Sequence, residues 1–248
     1  FFGKFPNQEP RADRWKEGSS LGGEASRFTW QYLAAGYAAV WATENTREAI
    51  FDAMMRRETY GTSGTRMTVR MFGGYDYRPE DAQSRYLADV GYTKGVPMGG
   101  DLKAAQAGQA PTFLVAALKD PNGANLDRIQ IVKGWLDASG KAQERIYDVV
   151  WSGDRKPGKD GKLPPVGDTV DVERASFTNT IGEAELSAVW KDPDFKRSER
   201  AFYYTRVIEI PTPRWTAFDQ VRFGVKMSPE VPMKQQERAW TSPIWYTP

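Results

Sequence analysis

The sequence predicts an α+β protein in which a strand–helix–strand segment precedes an antiparallel β-sandwich. Three observations carry this. A short apolar run at Gly36–Ala42 leads into a stretch whose apolar residues recur at helical spacing. From Thr65 to Phe72 the apolar residues fall instead on every second position. From Pro111 onward, short β-type segments alternate with turn-forming clusters, the punctuation of a sandwich.

In chain order, residues 1 to about 30 are rich in Pro, Gly, Ser and charge, hold no period, and read as loop. The run Gly36–Ala42 is made of small, β-branched and aromatic residues, the pattern of a parallel strand buried on both faces. Asn45 with Glu48 three residues on has capping-box spacing, and Ala49, Ile50, Ala53 and Met54 give the following helix, 45–57, its apolar stripe. Arg56 and Arg57 sit in its last turn, where cations suit the helix dipole. Met67, Val69 and Met71 then alternate with Arg66, Thr68 and Arg70 in a half-buried strand that Gly73-Gly74 ends. A short helix is expected to begin at Pro79 within 79–90. The Gly/Pro-rich break Gly95–Gly100 places the boundary between a first unit, 1–95, and a sandwich unit, 96–248. Expected strands of the second unit are Thr112–Lys119, Arg128–Trp135, Arg145–Trp151, Glu183–Trp190, Ala201–Ile210 and Pro243–Tyr246, separated by turns such as Asp120-Pro121-Asn122-Gly123 and Ser139-Gly140.

Composition excludes much chemistry. The chain has no histidine and no cysteine, so imidazole bases, His-ligated zinc, Ser-His-Asp triads, thiol nucleophiles and disulfides are all ruled out within it. Catalysis by these residues would need carboxylates, Lys or Tyr. With 34 basic and 32 acidic residues the net charge is +2, which supplies no footprint for nucleic acid or an anionic membrane. No apolar run approaches bilayer length, and Phe1-Phe2-Gly3-Lys4 lacks the order of a signal peptide. Opening on two apolar residues without an initiator Met is the pattern of a truncated or processed chain.

The stretches Gly36–Met54 and Arg57–Met67, together with Val96-Pro-Met-Gly-Gly-Asp-Leu, Asn125–Trp135, Trp151–Arg155, Ala201–Trp215 and Thr241–Tyr246, closely resemble the bacterial family known as domain of unknown function three-six-zero-four. That family is similar to PHP-type metallohydrolases, in which a distorted α/β barrel holds divalent metals. The resemblance implies that Gly36–Ala42 and 45–57 are the last strand and outer helix of such a barrel. It implies metal ligands upstream of Phe1, in a Ser-Asp-Thr-His type motif, and none in this chain, where Phe5 stands at a position expected to carry His. A cofactor (Mn, Fe or Zn) would then reside in the N-terminal half of a parent hydrolase of phosphoesters, other esters or carbamates. That half, or a second copy of this chain, is the expected partner for residues 1–95, whose lone barrel strand would otherwise leave open edges. Export to the periplasm or beyond is the localisation the resemblance implies.

On the barrel reading, Glu44, Asn45 and Arg47 follow the strand and lie on the rim where active-site loops gather, as candidate substrate contacts. The bland alternative makes Asn45 a helix cap and Glu44 a charge near the helix dipole. Asp154–Asp168 is acidic but lacks calcium-loop spacing and carries Lys156, Lys159 and Lys162, so it reads as a solvated loop. Thr62–Arg66 is hydroxyl-rich without phosphate-loop spacing and reads as a turn. Trp135, Trp215, Trp240 and Trp245 lie nearest turns or ends, which raises an alternative function: a non-catalytic module binding glycan or protein through aromatic platforms rather than burying them as core.

Overall fold

The computed structural model describes residues 9–16, 18–19, 27–31 and 36–248. The expectations for Phe1, Phe2 and Phe5 fall outside these, as does much of the loop expected over 1–30. Within that stretch β1 (Gly18–Ser19) pairs antiparallel with β2 (Arg27–Phe28). Then follow β3 (Tyr37–Val40), α1 (Arg47–Met55), β4 (Thr59–Thr62) and β5 (Thr68–Gly74). After them come α2 (Leu87–Lys94), β6 (Gly95–Pro97), β7 (Asp101–Leu102), β8 (Thr112–Leu118), β9 (Leu126–Leu136) and β10 (Ala142–Trp151). The rest comprises β11 (Glu185–Lys191), β12 (Ala201–Glu209), β13 (Thr212–Pro213), α3 (Trp215–Phe223), β14 (Lys234–Gln235), β15 (Arg238–Thr241) and β16 (Ile244–Tyr246).

The protein is α+β and mostly sheet. An eight-stranded sheet runs β10–β9–β12–β15–β4–β3, with β16 sharing the second edge of β12 and pairing in parallel with β7. A four-stranded sheet runs β11–β8–β5–β6 and is antiparallel throughout. The two pack face to face in a sandwich-like arrangement. Their shared core takes Met67, Val69, Met71, Phe113 and Val115 from one side and Ile129, Ile131, Tyr203, Val207, Ile244 and Tyr246 from the other. Each of the larger apolar side chains among these contributes roughly 1.5–3 kcal/mol by leaving water. The alternation read from Thr65 to Phe72 is what delivers the three β5-side residues to this core. The outer face of the smaller sheet carries Phe72 and Leu114 under α2 and the 3-10 turn Pro79–Gln83. Gly91 lets α2 lie close, since a Cβ there would stand 2.5 Å from the Phe72 ring.

The strands expected after Pro111 all form, within a few residues of their expected ends. The first segment differs. β3 is not a parallel strand buried on both faces: it pairs antiparallel with β4 at the end of the larger sheet, with Tyr37 and Ala38 exposed. The reason lies at the end of α1, where Arg57 takes a left-handed φ of 61° and the Glu58 N–H reaches back to Ala53 O at 3.0 Å. The chain reverses there, so β4 returns beside β3 rather than crossing over. Among the described residues there is no closed barrel. The helix cap is Thr46 rather than Asn45: its Oγ1 accepts the Ala49 N–H at 3.3 Å, and the helix starts at Arg47. Strands on the two sides of residue 95 share both sheets, β4 pairing with β15 and β5 with β8. Several elements had no expectation, among them β4, β6, β7, β13, β14, α3 and β15. α3 is short and aromatic, marked only by Gly224 in left-handed conformation at its end, and β15 has four residues.

Candidate functional site

The larger sheet has one face on the core and one turned outward, so strand alternation sorts its side chains. On β12, Ala201, Tyr203, Thr205 and Val207 go inward and Phe202, Tyr204 and Arg206 go outward. Register then brings outward partners together. Gly134 of β9 and Trp245 of β16 flank Phe202, Val132 flanks Tyr204, and Gln130 and Trp240 flank Arg206. The Phe202 ring lies 5.3 Å from that of Trp245 and stacks nearly parallel, at 12°, on Tyr204. Phe202 and Tyr204 are half-buried, while Trp245 is 41% exposed and Trp240 36%.

Two concavities are cut into the two ends of this face. One, of about 670 Å³, has Phe202, Trp245 and Leu136 with the polar groups of Gln143, Glu144, Arg200 and Thr247 around them. The other, of about 350 Å³, is lined by Trp215, Trp240, Arg214, Lys234, Arg238 and Glu237, together with Ser63, Gln235 and Gln236. Here Glu237 accepts hydrogen bonds from Ser63 Oγ and Gln235 Nε2. Burial raises its carboxyl above the usual range, with Ser63 and Arg238 opposing. Next to it the fully buried Glu209 is pushed up to about 8 by desolvation, partly offset by the Thr65 hydroxyl. Burial lowers Arg214 from its ordinary value. Lys234 pairs with Asp168 at 2.5 Å.

Of the four tryptophans singled out in the sequence, three reach this face. Trp245 lines the first concavity, while Trp215 and Trp240 line the second. Trp135 also borders the first concavity, but alternation turns it inward opposite Ala201, where it packs on the main core near Lys133 Nζ, 5.3 Å from its ring centre. Phe202 and Tyr204 were not singled out, although the alternation of Ala201–Ile210 marks them as the outward set.

Glu44, Asn45 and Arg47 are all exposed, in the loop before α1 and at its first residue. Glu44 Oε1 accepts from the Thr46 hydroxyl at 3.2 Å, which braces the cap. They lie beside the helix face carrying Phe51, Met54 and Met55, which are 58%, 52% and 67% exposed. Below them Arg70 stacks 3.4 Å over Trp41 and approaches the buried Glu58, which also accepts from the Tyr92 hydroxyl. The divalent metal implied by the resemblance finds no fit here: the described residues contain no group of three or more His, Cys, Asp or Glu able to hold one. No helix of the described residues is long and apolar enough to cross a membrane.

No curated protein and no solved structure matches this sequence. A family model matches residues 1–248, and by it the chain belongs to the family described as Protein of unknown function (DUF3604).

Proposed function

We propose that the chain is a non-catalytic β-sandwich module that binds a saccharide on the outward face of its larger sheet. A pyranose offers an apolar C–H face that stacks on an aromatic ring and a rim of hydroxyls that take hydrogen bonds. The observation that carries the reading is the exposed Trp245 ring beside the half-buried Phe202, with Gln143, Glu144, Arg200 and Thr247 around them. Rings held on strands lose little entropy on binding, since packing and the pleat already orient them. The experiment is a glycan array followed by calorimetry on the hits, with Trp245→Ala as the control. A hit that Trp245→Ala weakens at least tenfold supports the reading. No hit, or a hit indifferent to Trp245, rejects it, and capture of a protein on this face would assign it to protein recognition instead.

A separate observation favours a second reading, in which the chain is the C-terminal part of a PHP-like metal-dependent hydrolase and packs against the body that carries the metal. The apolar face of Phe51, Met54 and Met55 beside Glu44, Asn45 and Arg47 suits such a role, as it leaves polar groups at the rim of a covered surface. Its test is hydrolysis of phosphate esters, other esters and carbamates by a protein containing both parts, loaded with Mn, Fe or Zn. Activity that falls on Glu44→Gln or Arg47→Gln supports it, and inactivity across the panel removes it.

A further inference from the structure

Trp245 stands opposite Phe202 on β12, and Trp240 stands opposite Arg206, four residues further along the same strand. At strand rise the two positions are about 13 Å apart, and the even spacing puts both on the outward face. Tyr204 lies between them, its ring stacked on that of Phe202. Arg206 is held through its Nε, which donates to Gln130 Oε1 at 2.8 Å, and Gln130 Nε2 donates in turn to Asp148 Oδ1 at 2.6 Å. A ligand that covers one tryptophan alone leaves the other exposed ring without a use.

The charges beside this line come with counter-charges. Lys234 is paired with Asp168 at 2.5 Å, and Arg128 with Asp127 at 2.9 Å and Asp148 at 3.2 Å. Glu237 accepts from Ser63 and Gln235 and has Arg238 beside it, while the buried Arg214 carries its guanidinium 5.5 Å from the Trp215 ring centre. Glu144 and Arg200 share the Trp245 concavity. These pairings leave no cluster of one sign to select an ionised ligand. Neutral amides stand at both ends instead, Gln143 at one and Gln235 and Gln236 at the other. Each is oriented by a hydrogen bond from its Nε2, to Asp137, Glu237 and the Glu209 carbonyl respectively. Amides donate and accept, as sugar hydroxyls do.

Resting on the saccharide reading above, we infer that the ligand is an uncharged, extended polysaccharide that runs along β12, with one sugar ring on Trp245 and a later one on Trp240. The distance between the indoles selects a chain over a single sugar. Joining the two contacts in one molecule makes the second intramolecular once the first has formed, which raises affinity without any new contact. The shallow sheet face selects an extended chain: equatorial linkages keep successive sugar rings along one line, whereas axial linkages coil the chain away from the second tryptophan.

The experiment is calorimetry on the chain with the di- and hexasaccharides of β-1,4-linked xylose, glucose and mannose. Maltohexaose serves as the coiled control and hexagalacturonate as the ionised one. The expected result is that at least one extended neutral hexasaccharide binds about tenfold more tightly than its own disaccharide and than either control. Added salt should leave that affinity unchanged, since no ion pair forms. Trp240→Ala should remove the advantage of the hexasaccharide and leave the disaccharide, seated on Trp245, unaffected. Trp240→Phe, which keeps a ring, should retain most of the advantage, and Trp245→Ala should weaken both ligands. The length series needs no variant, so it decides the matter if Trp240→Ala fails to fold. Equal binding of disaccharide and hexasaccharide, a folded Trp240→Ala with unchanged affinities, or a preference for either control would overturn the inference while the saccharide reading stands. Absence of binding by every saccharide would take both down.

Discussion

The distal edge of the Phe202 ring occupies the space over Gly134, where an added Cβ would come within 2.3 Å of the ring. The two residues are direct cross-strand partners on β12 and β9, so the missing side chain on one strand is what lets the ring of the other lie down and face Trp245. Gly134→Ala would lift the ring tip. The expected outcome is a folded protein, destabilised by about 1–2 kcal/mol in urea unfolding, with saccharide affinity reduced at least fivefold. Unchanged affinity would show that ring placement is irrelevant to the face.

Inside the sandwich, Lys133 Nζ stands 2.6 Å from Asp192 Oδ2, with both side chains almost wholly buried. The Tyr203 hydroxyl donates to the same carboxylate oxygen at 2.7 Å, and Lys133 also donates to the Asp194 carbonyl at 2.9 Å. Removing one partner strands the other charge in the core. Asp192→Ala is expected to cost about 3–5 kcal/mol, whereas a double replacement by apolar residues, Lys133→Met with Asp192→Leu, should recover much of it. Chemical denaturation of the three proteins checks this, and a double variant no better than the single one would contradict it.

Glu209 makes stability depend on pH. Its carboxyl is raised from 4.5 to about 8 in the folded state, so the folded protein holds a proton that the unfolded chain releases between those values. A raised folded pKa favours folding fully below about 4.5 and loses that contribution as pH climbs toward 8. Urea unfolding at pH 5 and pH 8 should therefore show the wild type losing on the order of a few kcal/mol at the higher value. Glu237, raised in the same direction, adds to the slope. Glu209→Gln, neutral at every pH, should flatten most of it, and a variant with the wild-type slope would show that Glu209 is not its source.

A chain begun at Gly108 would keep β8–β16 and lose β3–β7. It would expose the edge of β8 that β5 covers and the edge of β15 that β4 covers, and it would remove Met67, Val69, Met71, Met98 and Leu102 from the core. Such a chain is expected to be aggregated or molten, with no cooperative thermal transition. A sharp transition and dispersed amide spectrum would show that the residues after 95 form a unit of their own.

What the sequence by itself determined about this protein was local. The strands β8 to β12 and β16, the inward set Met67, Val69 and Met71, the turn positions between strands, and the exclusion of every imidazole and thiol chemistry are properties of neighbouring residues or of composition. Tertiary structure decided what lies next to what. Nothing local in Gly36–Ala42 states that its partner is an antiparallel β4, because the reversal depends on Arg57 adopting a left-handed backbone that its residue type does not favour. Nothing near Phe202 announces Gly134 or Trp245, and nothing near Arg206 announces Trp240. Those encounters are set by the register of strands distant in the chain, which emerges when the two sheets bury a common core. Burial is non-directional and rewards any register that hides the apolar set, so alternation tells which side a ring faces but only the assembled sheets fix which rings meet.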